Sequence, residues 1–424
     1  MRQTLPLAIS LAILIHLLLA PPISRAAEPG TGSPLSLSRG QVREIATVTE
    51  LKAALDAAND RKTPTTLLLV DGTYRLDSPA LEILCPGLVI RSASGNRDAV
   101  IVRGRDEGPK ATLANVFVVS ANDVAIADLS LGYCRYHGIQ VRGESSFNVS
   151  GLLVHNCRLV NCIEQFIKGS SSDDDLVGAI DGCIEQCLFK FTSGWAYQYY
   201  TGGIDIHKGV SWIVRDNLFR NLRVPADQEG IAEHAIHFWK RCPDGPQNIV
   251  VERNRIVNCD RGIGFGLVSA EGGHNGGASV IRNNMVFNDD TGPHTDVGIG
   301  LEHATGVQVD NNTVVVPTYW ASMEYRFRGS TNLVFRNNLV NRSIQRRDDA
   351  RLAPWTNNLE RAETSWFRNL AEGDLRLTAT ATSVIDSGKS LDAFRDDAYR
   401  QPRPQGSAWD VGASEFAAEA PPAK

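Results

Sequence analysis

Three residues of contrasting chemistry, Lys168, Asp205 and His237, occupy the same position of a recurring element in this 424-residue chain. Each follows the isoleucine of a short apolar motif that returns about every thirty residues. A repeat of this length indicates stacked strands, which would place the three side chains about one strand spacing of 4.8 Å apart. His207 and Trp239 follow two residues later on the same strands. Such a face could transfer protons and stack on a sugar ring.

The same alignment predicts three rows of outward-facing, exposed side chains, with one residue from each coil. The row after the isoleucine contains Gln140, Lys168, Asp205, His237, Gly264 and Gly300. The row two residues further contains Arg142, Ser170, His207, Trp239, Gly266 and Glu302. The row three residues before the isoleucine contains Tyr136, Glu164, Thr201, Glu233, Asp260 and Asp296. Gly264 and Gly266 are expected to leave an open groove beside His237.

The strands that carry these rows are predicted from eight copies of a second motif. The copies begin at Ile126, Val154, Ile184, Val214, Val251, Ile281, Val309 and Phe335, at steps of 28, 30, 30, 37, 30, 28 and 26 residues. Each copy alternates apolar and polar residues, and no ten-residue helical pattern separates the copies. The sequence therefore predicts an all-β protein, a right-handed parallel β-helix (solenoid) of about ten coils.

An asparagine recurs at one position of five successive copies and predicts a stacked turn. These residues are Asn217, Asn254, Asn284, Asn312 and Asn338. Asparagine tolerates left-handed backbone angles, and its amide can bond the asparagine of the next coil. Cys157 and Cys187 hold this position in two earlier copies. For the eight cysteines of the chain, buried free thiols and one or two disulfides are both open alternatives.

The two ends of the chain are predicted to lie outside the solenoid. We expect residues 1–26 to be a signal peptide cleaved near Ala26, and residues 27–45 to be a disordered linker. A single β-helix domain then spans residues 46–416, and residues 417–424 form a frayed tail. Thr49 is the expected N-cap of a short helix that covers the N-terminal end of the solenoid. The coils are expected to run to about Arg342, and a C-terminal segment to finish the last coils.

Charge and hydropathy exclude two classes of partner. The formal charge is −5, and loss of Arg2 and Arg25 with the signal peptide would make it −7 (−5 − 2). A mildly acidic protein is a poor binder of nucleic acid. No apolar run after the signal peptide is long enough to cross a membrane. We expect a secreted or periplasmic protein, and a monomer.

The repeat resembles the pectate lyase-like superfamily of right-handed β-helix proteins, which includes pectate lyases and the alginate and chondroitin lyases. The likeness covers roughly residues 60–415. The alginate and chondroitin lyases use a lysine base and an arginine on neighbouring coils, with calcium held by carboxylates. Glu233, Lys240 and Arg261 follow a comparable order here, although Ala235 stands where a second acidic ligand would be expected. The resemblance implies that Arg261 and Lys240 clamp a substrate carboxylate.

These observations predict a lyase that cleaves a uronate-containing polysaccharide by β-elimination. His237 or Lys168 is the expected base, because a neutral histidine accepts a proton near pH 7 without a shifted pKa. The expected substrate-binding residues are His207, Trp239, Arg142, Glu302 and Arg326. An optional calcium ion would be held by Glu233, Asp205 and Glu164. A uronate epimerase, a glycoside hydrolase and a non-catalytic carbohydrate-binding or cell-surface protein are the alternatives.

Overall fold

Three long parallel sheets form the body of the protein. The computed structural model describes residues 34–143, 148–171, 178–242 and 245–417. Sheet 1 has twelve strands: Gln41–Ile45, Thr65–Leu69, Val89–Ser92, Ala125–Ala127, Leu153–His155, Cys183–Glu185, Ile213–Arg215, Val250–Glu252, His274–Arg282, Ala304–Asp310, Val334–Arg336 and Trp355–Thr356. Sheet 2 has ten: Gly72–Leu76, Val100–Gly104, Ser130–Gly132, Arg158–Val160, Leu188–Lys190, Leu218–Arg220, Arg255–Val257, Met285–Phe287, Thr313–Val315 and Leu339–Val340.

Sheet 3 carries the rows of polar side chains discussed above. Its ten strands are Leu81–Ile83, Phe117–Val119, Ile139–Arg142, Gln165–Ser170, Gly202–His207, His234–Trp239, Arg261–Gly266, Ile299–Glu302, Met323–Arg326 and Ile344–Arg347. Two short pairs lie outside these sheets, Val149–Ser150 with Ala179–Ile180 and Phe367–Asn369 with Asp374–Leu377. Within the described residues, 3-10 turns occur at Gly108–Lys110, Thr364–Trp366 and Leu370–Glu372.

Stacked apolar columns inside the solenoid set the register of the sheets. On sheet 3 the column runs through Ile139, Ile167, Ile204, Ile236, Ile263, Ile299 and Met323, each paired with the next and each fully buried. Because side chains alternate along a strand, a slip of one residue would expose this column to water. The apolar repeat therefore fixes which polar residues become neighbours on the outer face.

The asparagine row forms a buried ladder of amides. Asn284 Nδ2 donates to Asn312 Oδ1 at 3.0 Å, and its Oδ1 accepts from Asn254 Nδ2 at 3.0 Å. The ladder continues to Asn358, one coil beyond the predicted row. One detail of the prediction was wrong: the left-handed residue is the one before each ladder position, such as Asn283 with φ 54°. The ladder side chains point inward, where their amides satisfy backbone groups of the turn.

The cysteines are free thiols in this structure, and seven of the eight are buried. Cys157 and Cys187 stack in the row that asparagines occupy later, with the backbone N–H of Cys157 donating to Cys187 Sγ at 3.4 Å. A small apolar thiol fills this interior position without demanding the paired bonds of an amide. Of the two alternatives, buried free thiols and disulfides, the structure therefore supports the free thiols.

An N-terminal helix, Val48–Arg61, packs Leu51, Ala54, Leu55 and Ala58 against the first coils. Its N-cap is Thr47, two residues before the predicted Thr49, because Thr47 and Glu50 form a reciprocal capping box. Part of the predicted linker was also wrong, since Gln41–Ile45 pairs in parallel with Thr65–Leu69. The predicted signal peptide, residues 27–33 and residues 418–424 lie outside the described residues. No helix in the described ranges is long and apolar enough to span a membrane.

The C-terminal part of the chain does more than finish the last coils. Strands at Ile344–Arg347 and Trp355–Thr356 extend sheets 3 and 1 past the predicted end at Arg342. The segment that follows then runs back along the outside of sheet 2. Its apolar residues, including Phe367, Leu375, Val384 and Val411, cover an outer row that contains Leu188, Leu218, Met285 and Leu339. Sheet 2 is therefore closed to solvent along this row, whereas the polar face of sheet 3 is not covered in this way.

Candidate active site

The predicted register of sheet 3 is confirmed in every coil that carries a candidate residue. Lys168 pairs with Asp205, Asp205 with His237, and His207 with Trp239. The next coil places Gly264 beside His237. Residues 27 to 37 positions apart in the sequence are thus neighbours because the isoleucine column aligns their strands.

Lys168, Asp205, His207 and Trp239 form one hydrogen-bonded group, called here the Lys168 cluster. The Lys168 ammonium donates to Asp205 Oδ2, and its Nζ lies 3.0 Å from His207 Nε2. Trp239 Nε1 donates to Asp205 Oδ1 at 2.7 Å. The rings of His207 and Trp239 meet edge to face, with centroids 4.1 Å apart. Asp205 is therefore held from both sides by donors on the two flanking coils.

Charge within the Lys168 cluster is fixed by its contacts. Burial by itself would raise the pKa of Asp205, but hydrogen bonds to its carboxylate and the charge of the Lys168 ammonium outweigh it and hold this pKa well below its usual range. Asp205 is therefore ionised, and its carboxylate pairs with the Lys168 ammonium. A lysine ammonium can only donate, so His207 Nε2 accepts and the His207 ring is neutral. The pair Lys168–His207 thus contains one proton donor and one proton acceptor in hydrogen-bond contact.

The expectation that these side chains lie open on the surface was wrong. Lys168 is 8% exposed, Asp205 6% and His237 3%. Side chains on adjacent coils are only about 4.8 Å apart, so large neighbours cover one another. Within the cluster, His207 and Trp239 keep partial exposure and form its solvent-facing edge.

His237 differs from the residue that the sequence suggested. Its Nε2–H donates to the carbonyl of Gly266 at 2.9 Å, which leaves the lone pair on Nδ1, 3.8 Å from Asp205 Oδ1. Burial lowers the pKa of His237 to about 4. The two reasons for choosing it, an ordinary pKa and an exposed ring, are therefore wrong. Its role as the base stays a prediction without that support.

His234 is a site residue that sequence reasoning missed. Its ring centroid lies 4.4 Å from that of His237, and its Nε2 would lie 2.5 Å from a Cβ added at Gly264. The predicted open groove above Gly264 is therefore filled by the His234 ring. Strict alternation would turn His234 and His237 to opposite faces, but Ala235 and Ile236 between them both pack in the core. This break in the alternation brings both imidazoles to the outer face.

Acidic residues surround the imidazole pair. Glu233 Oε2 lies 3.7 Å from Arg261 Nη1, and Arg261 Nε donates to Asp296 Oδ2 at 2.9 Å. Burial raises the pKa of Glu233 and, two coils away, that of Glu164. Arg261, the predicted carboxylate clamp, is thus already paired with two carboxylates of its own face.

The described residues contain one set of three potential metal ligands whose donor atoms all lie within 4.8 Å of one another: Glu233, His234 and His237. The predicted calcium group of Glu164, Asp205 and Glu233 is not brought together in this way. Asp205 accepts from Lys168 and from Trp239, so a positive ammonium already lies against the carboxylate that would hold the ion. Calcium binding itself stays a prediction.

The other predicted site residues lie around the group of Glu233, His234 and His237. Glu302 and Arg326 pair with each other at 2.8 Å, and Arg326 also contacts Asp348 at 2.6 Å, which is typical of a structural ion-pair network. Arg142 lies on an earlier coil, 3.9 Å from Glu82. Lys240 directly follows its strand, in a left-handed turn with φ 64°.

Exposed aromatic side chains flank the face on one side. They are Tyr136, Tyr199, Tyr200 and Trp320, with 38%, 56%, 44% and 49% of their surface exposed. Each lies on a turn that leads into a strand of sheet 3. Flat rings that remain in water beside polar groups are suited to stack on the apolar face of a sugar. Of these four residues, only Tyr136 belongs to a predicted row of this face, because the other three lie in turns of variable length.

No family model matches the chain, and no curated protein matches it. Its structure is similar to that of pectate lyase Pel9A, with a TM-score of 0.57 and 15% identity over 92% of this chain and 100% of that chain. It is also similar to the alginate lyase from Paenibacillus sp. str. FPU-7, with a TM-score of 0.49 and 13% identity over 76% and 99% of the two chains. The A-module of the Azotobacter vinelandii mannuronan C-5 epimerase AlgE4 gives a TM-score of 0.44 and 11% identity over 78% and 95%. The similarity to pectate lyase Pel9A confirms the predicted fold, and the chain is a right-handed parallel β-helix like that of the pectate lyase.

Proposed function

We propose that this protein is an exported enzyme that cleaves a uronate-containing polysaccharide by β-elimination. The observation that carries the proposal is the Lys168 cluster, in which an ammonium and a neutral imidazole share a 3.0 Å contact beside an ionised carboxylate. The edge of this group that His207 and Trp239 form faces solvent on a surface flanked by exposed aromatic rings, where a long polymer would bind.

The cluster supplies both proton transfers that β-elimination requires. The reaction removes the C5 proton of a uronate and protonates the glycosidic oxygen that leaves C4. When Lys168 turns from His207 to the glycosidic oxygen, His207 Nε2 accepts the C5 proton, the electrons of that C–H bond form the C4–C5 double bond, and the C4–O bond breaks. Lys168 donates a proton to the leaving oxygen. The proton on His207 then passes to Lys168 along their contact, which restores both groups, while Asp205 compensates the positive charge throughout.

The comparison with solved structures supports the choice of substrate class. The similar chain is a pectate lyase, and pectate is a uronate polymer. Trp239 and the flanking aromatic residues would hold sugar rings, as substrate binding requires. Arg261 and Lys240 would clamp the carboxylate of the substrate, and Arg142 lies on the same face. Because Glu233 and Asp296 already neutralise much of the charge of Arg261, a bound cation such as calcium would add to the clamp.

A glycoside hydrolase is the second candidate, and one observation favours it. Glu164 and Glu233 occupy the same row two strands apart, which separates their backbones by about 9.6 Å. Burial raises the pKa of both carboxyls, as a general acid requires. Inverting glycosidases place two carboxyls roughly 6.5–9.5 Å apart to admit a water molecule. In this reading Glu164 and Glu233 would act, and the Lys168 cluster would bind substrate.

A panel of polymers separates these functions. The protein from residue 27 onward would be incubated with polygalacturonate, alginate and glycosaminoglycans, with calcium and with a chelator. Near-ultraviolet absorbance detects the unsaturated sugar that only elimination produces, and a reducing-end assay detects every cleavage. We expect both signals to rise together on one uronate polymer. Reducing ends without absorbance would identify a hydrolase. Exchange of solvent hydrogen without cleavage would identify an epimerase, and retardation of the protein in affinity gels without either signal would identify a binding protein. Each of these three results contradicts the proposed lyase.

A further inference from the structure

We propose that Glu233, His234 and His237 bind a divalent transition-metal ion. One donor atom from each of the three side chains lies within 4.8 Å of the other two. Two imidazole nitrogens and one carboxylate oxygen are donors that Zn²⁺ and its neighbours in the first transition series prefer over Ca²⁺, which takes oxygen ligands. The site is therefore different in chemistry from the carboxylate-bound calcium expected from the sequence.

The orientation of His237 prepares one ligand. Because its Nε2–H donates to the Gly266 carbonyl, Nδ1 carries the lone pair. A backbone carbonyl that fixes the tautomer of a histidine is the usual second contact of a metal ligand. Gly266 itself has φ 84°, and a Cβ there would lie 1.7 Å from the Glu302 carbonyl. Glycine is therefore required at the residue that orients this imidazole.

His234 provides the independent evidence for a ligand. Its Nδ1 is buried without a hydrogen-bond partner among the described residues. A buried polar atom left unpaired loses its hydrogen bonds to water without compensation, and a bound metal ion would supply the missing partner. The ring lies where any side chain at position 264 would collide with it. The fold thus keeps space for an imidazole that has no protein partner for one of its nitrogens.

Closing the three donors on an ion requires only a small adjustment. Donors at about 2.1 Å from a tetrahedral Zn²⁺ are roughly 3.4 Å apart. Glu233 can supply that movement, because its side chain is 29% exposed and its contact with Arg261 is 3.7 Å long. Three protein ligands leave a fourth position open. If the proposed lyase function holds, that position would receive the uronate carboxylate on a face that is rich in acids.

Binding of Zn²⁺ to untagged protein tests the site without any substrate. Protein stripped with a chelator would be titrated with Zn²⁺ by calorimetry, with Co²⁺ by visible absorption, and with Ca²⁺. We expect one Zn²⁺ per chain, a tetrahedral Co²⁺ spectrum and a rise in melting temperature. Glu233→Gln and His234→Asn should each weaken Zn²⁺ at least tenfold. Glu302→Gln, an acid of the same sheet outside the group, should leave the affinity unchanged.

Three results would overturn the metal site: no stoichiometric Zn²⁺ binding, Ca²⁺ binding in its place, or wild-type affinity in both ligand variants. Glu233 is partly exposed, so Glu233→Gln should fold even if His234→Asn does not, and circular dichroism would verify this. The two proposals fail separately. A protein that binds Zn²⁺ as expected but cleaves no polymer contradicts the proposed function alone, and a lyase indifferent to Zn²⁺ and to Glu233→Gln contradicts the metal site alone.

Discussion

Asp205 is the residue on which the candidate active site is centred. It accepts hydrogen bonds from Lys168 and from Trp239, and it lies between the two coils that carry them. Its carboxylate is buried together with the ammonium that it neutralises. Removing one charge of such a pair leaves the other uncompensated, which is much less favourable than removing both.

Asp205→Asn should therefore destabilise the protein by about 3 kcal/mol, because the buried Lys168 ammonium loses its counter-charge. The new side-chain amide can still accept the hydrogen bond from Trp239, so the loss of stability reports the missing negative charge. Chemical denaturation measures the change. Asp77→Asn is the matched control, since Asp77 pairs with Arg105 in full contact with solvent and should give no measurable change. Equal stability of the two variants would show that the Lys168 cluster is not a buried ion pair.

His274 makes stability depend on pH. Burial lowers its pKa to about 3, from about 6.5 in an unfolded chain. The unfolded chain therefore binds more protons between these values, so the stability that His274 contributes is complete above pH 6.5 and falls as the pH drops towards 3. From pH 7 to pH 5, the loss is on the order of 2 kcal/mol.

His274→Gln should remove this part of the acid sensitivity. Comparing the free energy of unfolding at pH 7 and pH 5 in both proteins gives the measurement. The variant should lose less stability on acidification than the wild type. An identical loss in the two proteins would mean that His274 is not a neutral buried histidine.

At the scale of the element, the ladder turn distinguishes late coils from early ones. Asn284 is fully buried, donates to Asn312 and to the Val251 carbonyl, and accepts from Asn254. Cys187 holds the equivalent position in an earlier coil, where a thiol makes only weak bonds. The same place in the repeat is thus stabilised by hydrogen bonds in one region and by packing in another.

We expect Asn284→Ala to lower stability by about 3 kcal/mol, because several buried donors and acceptors lose their partners. Cys187→Ala should lower it by only about 1 kcal/mol, the value of a small buried apolar group. Thermal melting of both variants beside the wild type tests the contrast. A larger loss for the cysteine variant would contradict the hydrogen-bonded ladder.

The sequence predicted the strands of sheet 3 and their register, because the isoleucine column repeats with little interruption. It could not predict the burial of Lys168, Asp205 and His237, which depends on the size of side chains in neighbouring coils. His234 was missed because Ala235 and Ile236 interrupt the alternation that a sequence pattern assumes. The prediction of an open groove above Gly264 was wrong for the same reason, because the His234 ring fills that space. A glycine in a row shows that space is needed but not which side chain fills it.

At the scale of the whole molecule, the C-terminal segment holds the side of the solenoid. It covers an apolar row of sheet 2 over several coils, and it is attached by polar contacts as well. Arg403 and Glu415, 0% and 1% exposed, pair at 2.6 Å within it, and Arg253 contacts Asp396 at 3.1 Å. The sequence pattern gave no sign of this packing, because residues after 365 have no period that specifies a partner surface.

A chain that ends at Ser365 should expose the apolar row of sheet 2 to water. We expect it to bind a hydrophobic dye, to melt at a lower temperature and to aggregate at concentrations where the full chain does not. A chain that ends at Ala417 is the control and should behave like the full protein. If the shorter chain melts at the wild-type temperature and stays monodisperse, the segment does not stabilise the solenoid.

The claim that the Lys168 cluster transfers protons during cleavage of a uronate polymer has one most direct test. The initial rate of unsaturated product formation would be measured for Lys168→Ala, His207→Gln and the exposed control Lys110→Ala, each verified as folded by circular dichroism. Loss of a general acid or base slows catalysis by about 10²–10⁴. We predict a decrease of at least 100-fold for the two cluster variants and an unchanged rate for Lys110→Ala. Folded cluster variants that retain the wild-type rate would contradict the account.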